Sequence, residues 1–491
     1  MHRTASFLFL AAASLWAADY AAEGNQWWKH VSFLADDKLE GREVGKEGYT
    51  KAVAYVAGEF ERIRLKPGAG SSYQQPISFE RRSIANDQSS LELTRDGKTE
   101  PLALGADATM NARSEVAPSV DAAMVFVDHA FVIPENQVDN LKGVDLHGKI
   151  AVYFSAGSVP GVPGNLMSHY QSAGERWAAL KAAGAIGIAT INAGGRGGPG
   201  GGNATANGDA PANGAANGNP ADGAAAGRGN GDGRGGRGGA TPPPTVALAD
   251  ADLQDAGGEQ ISLTLTPRGA GKVLEGSGHT LEELQKAARA NEPIPAFDLK
   301  GTLHAKAVVK REPFQAPNVV GVLPGSDKKL KNEYVIMSAH LDHLGIGRAI
   351  NGDNIYNGAM DDASGVASVI EIARLMASSK AKLKRSVIFL TVAGEEKGEL
   401  GSHYFAAHPT VPRNDIVADI NLDMFLPLYP LKVIEVQGLT ESSLGEQVRA
   451  AAESLGVKVQ PDQEPEQNRF IRSDQYSFIK YGVPALAFKF G

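Results

Sequence analysis

Three apolar, β-branched runs in one stretch of this chain end in groups that can ligate a metal. EYVIMSAH ends at His340, with Asp342 two residues on; RSVIFLTVAG runs into Glu395 and Glu396; VADINL runs into Asp423. A fourth acidic pair, Asp361 and Asp362, sits directly before Ala-Ser-Gly and the amphipathic stretch VASVIEIARLMA. Imidazole and carboxylate at strand ends of an open α/β sheet are what a metal-assisted hydrolase requires.

Each position has its own chemical logic. A ligating imidazole needs a partner to fix its tautomer and aim its lone pair, and strand period two would put Asp342 on the face of His340. Of Asp361 and Asp362, one is expected to cap the following helix while the other ligates, and Asp361 is the ligand choice. Adjacent glutamates at a strand end point apart, so one can bind metal while its neighbour faces the attacking water as general base. A pair of tetrahedral zinc ions ~3.5–4 Å apart asks for two imidazoles and three carboxylates, one of them shared. His340 is one good imidazole. His343 reads as too close along the chain to serve on the same face, and His403 and His408 fall on the helix after the glutamates.

Bulk properties narrow the class. A chain of 491 residues exceeds one ordinary domain. A formal charge of −8 with scattered Lys and Arg argues against nucleic acid as a partner. Cysteine is absent, so no disulfide holds the fold and any metal must use His and carboxylates. Met1-His2-Arg3 followed by ASFLFLAAASLWAA reads as a signal peptide over residues 1–18, with cleavage near Ala17 or Ala18. The expected location is therefore exported, periplasmic or extracellular. No later window is long and apolar enough to span a bilayer.

The elements that must position these groups fall into two blocks. Helical spacing recurs over Trp27–Ala35 and Tyr49–Ile63, separated by DDKLEGREVGKEG, whose Glu40-Gly41-Arg42 could reach an active-site rim but which by default reads as a polar surface loop. Residues 19–85 are thus expected to form the first part of the catalytic domain and 306–491 its main part. Between them, 86–305 reads as an inserted strand-rich α/β module, with a cleanly capped helix beginning after Thr280. His129, His147 and His169 sit in separate segments of it and read as structural or surface groups. Its Gly-rich tract, 192–240, has nothing to offset the entropy of ordering and is expected to be a disordered loop.

Taken in order, these motifs from Asn318 to Gly491, and more loosely Trp27 to Pro76, resemble the zinc aminopeptidases of the M28 peptidase family. The resemblance implies a mixed-sheet α/β/α zinc-exopeptidase core with an inserted protease-associated (PA) domain that limits access as a lid or rim. It implies two Zn2+ per chain: His340 and Asp423 on the first ion, Asp361 bridging, Glu396 on the second, Asp342 orienting His340, and Glu395 as general base. The family's second imidazole comes after the segment resembling SDQYSFIKYGVPALAFKFG, and the family often has His where this chain has Gln475. The second site is therefore incomplete in the sequence as it stands, and the expectation is a chain cut short of that histidine.

The implied activity is removal of N-terminal residues from peptides bearing a free N-terminus. Two alternatives stay open on sequence alone. A carboxypeptidase or dipeptidase on the same scaffold would need a basic residue such as Arg348, Arg374 or Arg472 to grip a carboxylate. A non-catalytic binding protein would have kept the fold after losing a zinc ligand.

Overall fold

The computed structural model describes residues 20–193, 243–254, 256–425, 430–465 and 468–490. The expected signal peptide and nearly all of the Gly-rich tract lie outside them. The chain falls into two compact units: Met1–Ile77 with Gln315–Glu464 and Arg472–Gly491, and Ser78–Phe314 with Pro465–Ile471.

The first unit begins with two helices, α1 (Tyr20–Leu34) and α2 (Glu47–Ile63). In α2, Tyr49, Ala52, Val53, Val56 and Phe60 recur at helical spacing and form its buried stripe. Both helices start before their first periodic apolar residue, because an opening turn needs no core face. The connecting segment is not the polar surface loop expected. Asp37–Arg42 coils into a 3-10 helix in which Leu39, Gly41 and Arg42 are buried.

Among the described residues, nine strands form the sheet of this unit. They are β1 (Lys66–Pro67), β2 (Gln74–Gln75), β3 (Asn318–Leu323), β4 (Tyr334–His340), β5 (Ser386–Val392), β6 (Ile416–Asn421), β7 (Val433–Gln437), β8 (Lys458–Gln460) and β9 (Ala485–Phe490). Their order is β1-β3-β5-β4-β6-β9-β7-β8, with β2 also on β3. β5, β4, β6 and β9 run parallel, while β3 and β7 flank them antiparallel. All seven residues of β5 are buried, as expected of a central parallel strand covered on both faces. Ile388, Leu390 and Val392 enter a core with Phe405 and Phe478, and helix α3 (Ser364–Ser378) packs on β4 and β5. This is the mixed-sheet α/β architecture expected.

Register decides where the chemistry falls. His340 pairs with Val392 and Ser338 with Asn421, so β4, β5 and β6 end at one edge of the sheet. Glu395 follows β5 by three residues, and Asp423 follows β6 by two.

The second unit holds an eight-stranded sheet, ordered Lys98–Pro101, Ser90–Arg95, Phe297–Lys306, Ser119–Phe126, Ile150–Phe154, Gly187–Ile191, Ile261–Leu265 and Ala108–Met110. Phe126, Phe154, Leu263 and Leu303 are among its core residues. Helix Leu281–Arg289 starts at Thr280, whose side chain accepts from Glu283 N. His129 is buried beside Asp128, His147 is exposed and His169 is half-buried.

Candidate metal centre

His340 is fully buried, and its Nδ1 lies 3.1 Å from the backbone oxygen of Asp342. A carbonyl only accepts, so Nδ1 carries the proton and Nε2 presents the lone pair. That Nε2 faces three carboxylates: Asp361 Oδ1 at 2.9 Å, Asp423 Oδ1 at 3.7 Å and Glu395 Oε2 at 3.9 Å. The ring is thus aimed by the Asp342 carbonyl, not by its carboxylate. β4 stops at His340, so the period-two argument for a shared face does not extend to Asp342.

The Asp342 carboxylate, also fully buried, does a different job. Its Oδ1 accepts Glu395 N at 3.1 Å and its Oδ2 accepts Glu396 N at 3.4 Å. The turn bearing the glutamates is entered through Gly394 in the left-handed region, φ 71°, a conformation glycine adopts without penalty.

The acidic pair before α3 divides its work. Asp362 accepts Gly365 N at 2.9 Å and Met424 N at 3.1 Å, tying the start of α3 to the segment after β6. Asp361 instead faces His340 and belongs to a second group with His343 and Glu396. The peptide bond between the two aspartates is cis.

Two sets of ligand atoms therefore converge. His340, Asp362 and Asp423 form one set and His343, Asp361 and Glu396 the other, with the atoms of each set lying within 4.8 Å of one another. His343 corrects the reading that placed it on the wrong face. Once β4 has ended, the chain turns and carries His343 Nδ1 to 2.8 Å from Glu396 Oε1. His403 and His408 belong to neither set. Gln475 belongs to neither set; its Oε1 accepts from Asn421 Nδ2 at 2.7 Å.

The residues present fit a divalent cation. Among the described residues, His340 Nε2, His343 Nδ1, Asp362 Oδ2 and Asp423 Oδ1 are buried and make no hydrogen bond. Burying this many carboxylates together is costly unless a cation balances them. The titration pattern reflects the crowding. Burial drives Asp342 above its ordinary range and Asp362 well above it. Burial also pushes against Asp423, but Lys489, His340 and the Ser473 hydroxyl outweigh it and hold that carboxylate below the usual range. Nitrogen and oxygen donors without sulfur, some with a second partner that fixes them, suit zinc.

Comparison with known proteins agrees with this geometry. Residues 318–491 match the description of Peptidase family M28. A "Probable zinc metalloprotease" of Pyrenophora teres f. teres is 29% identical over 192 residues, 35% of this chain and 38% of that protein. A "probable leucine aminopeptidase 2" of Aspergillus oryzae is 30% identical over 182 residues, 36% of this chain and 34% of that protein. The matches thus span little more than a third of these relatives' length. Among solved structures, "Aminopeptidase from Aneurinibacillus sp. strain AM-1" superimposes with a TM-score of 0.50 at 18% identity, covering 95% of this chain and 85% of its own. From residue 318 onward the chain matches Peptidase family M28, and it also holds a second, strand-rich unit.

Proposed function

We propose that this protein is an exported dizinc aminopeptidase that removes N-terminal residues from peptides, and that its strand-rich unit is a protease-associated domain. The observation carrying the reading is the pair of ligand sets, of which Asp361 belongs to one while touching the imidazole of the other. His340 and Asp423 would hold the first ion, His343 and Glu396 the second, and Asp361 would be shared. When bound, zinc supplies Lewis acidity that makes water a nucleophile at neutral pH and polarises the scissile carbonyl.

The chain's own groups handle the proton. Glu395 belongs to neither ligand set, is fully buried and lies 3.9 Å from His340 Nε2, at the rim of the centre. That position supports Glu395 as the group that takes a proton from the attacking water and returns it to the leaving amine. Asp342 fixes where Glu395 points by accepting its backbone N–H.

The test pairs metal analysis with substrate blocking. Purified protein is expected to hold two zinc ions and to cleave aminoacyl-anilides but not their N-acetylated forms. Cleavage that needs a free C-terminus instead favours a carboxypeptidase. Zinc-loaded protein with no turnover on any peptide overturns the enzymatic reading.

A further inference from the structure

Arg42 stands outside both ligand sets, yet among the described residues it is one of the largest fully buried side chains. Its guanidinium is spent on backbone carbonyls. Nε donates to Leu341 O at 3.0 Å, Nη1 to Leu34 O and to Asn357 O at 2.7 Å, and Nη2 to Gly358 O at 3.0 Å. Leu341 lies between His340 and Asp342, while Asn357 and Gly358 open the segment that carries Asp361 and Asp362. One planar fork therefore spans the two backbone segments whose side chains meet at His340 Nε2 and Asp361 Oδ1.

Neighbouring contacts fix the fork itself. The Arg42 carbonyl accepts His343 N at 3.3 Å. Gly41, at φ 69°, lies so close to the next segment that a Cβ there would meet Tyr356 O at 2.3 Å. Asn357 Nδ2 donates to Ala35 O at 2.9 Å and Asp37 Oδ1 at 2.7 Å, closing the bracket from the other side. Among the described residues, no carboxylate lies within ion-pair distance of Arg42, so its charge acts on the acids through space.

We propose that Arg42 is a positioning residue for the metal centre: its guanidinium sets the separation of the His340 and Asp361 segments. This rests on the metal reading above. A simple core role would cost stability alone, whereas a positioning role costs metal affinity beyond any loss of stability.

The experiment uses the full chain. Wild type, Arg42→Ala, Arg42→Lys and a stability control in α2, Phe60→Leu, are stripped with chelator and titrated with zinc against a competing indicator. Urea unfolding of each metal-free protein is followed in parallel. The expected result is a fall in zinc affinity of about 10- to 100-fold for Arg42→Ala. Arg42→Lys, which keeps the charge but loses the fork, should fall between Arg42→Ala and wild type. Guanidinium ion at millimolar concentration should restore part of the affinity of Arg42→Ala and none in Phe60→Leu. Should Arg42→Ala fail to fold, Arg42→Lys carries the same comparison. Wild-type zinc affinity in folded Arg42 variants, with only the urea midpoint reduced as in Phe60→Leu, overturns the assignment. A wild-type chain that takes up no zinc overturns the metal reading and this assignment together.

Discussion

Asp342 Oδ1 accepts the backbone N–H of Glu395 at 3.1 Å, so the chain leaving β4 and the turn leaving β5 behave as one piece. Replacing Asp342 with alanine removes the carboxylate that accepts both the Glu395 and the Glu396 N–H. It is expected to destabilise the protein by about 2 kcal/mol in urea unfolding. Turnover should fall through kcat more than KM, because Glu395 is misaimed while substrate contacts survive. A change confined to KM contradicts this role.

Glu395→Gln keeps the shape of the side chain and removes its basicity. Activity should drop about 100- to 10,000-fold with zinc content unchanged. Loss of zinc alongside activity would instead make Glu395 a ligand, and equal activity would assign the base elsewhere.

Asp474 is fully buried, and burial raises its pKa to about 7 from an ordinary 3.8. Between those values the folded protein keeps a proton that the unfolded chain has lost. Stability must therefore fall as pH rises through that window, by up to about 1.4 kcal/mol per pH unit from this group. In chelator-treated protein, Asp474→Asn should flatten the decline between pH 4 and 7. An unchanged slope refutes the assignment.

Gly365 has no room for a side chain, since a Cβ there would lie 1.8 Å from Leu422 O and 2.4 Å from Asp362 Oδ2. Gly365→Ala should cost about 1–3 kcal/mol. It should also weaken zinc binding, because Leu422 adjoins Asp423. Unaltered zinc affinity in the folded variant would show that the loop relaxes without moving its ligand.

The parts of the centre visible in the sequence are those with local signals. The run SVIFLTV marks a buried central strand, and the acids just beyond such runs mark its catalytic edge. Likewise Asp361-Asp362 before Ala-Ser-Gly reads as a junction of ligand and helix start. The bracing role of Arg42 is not legible in the sequence, because its partners lie up to 316 residues away and its segment looks polar and Gly-rich. His343 was misplaced for a sharper reason. Strand alternation holds only up to His340, where β4 ends, and the turn that follows brings the His343 ring to Glu396. The job of the Asp342 carboxylate was missed for the same reason.

The shared register of β4, β5 and β6 makes the two ends of these strands unequal before evolution. Residues 379–385, before β5, are exposed or half-buried and bear no ligand, so added or deleted residues there leave every ligand in place. At the opposite end a single inserted residue in 341–344 or 393–396 would slide one ligand past the others. Length variation among homologues of this chain should therefore gather on one side of the sheet and be nearly absent from the other.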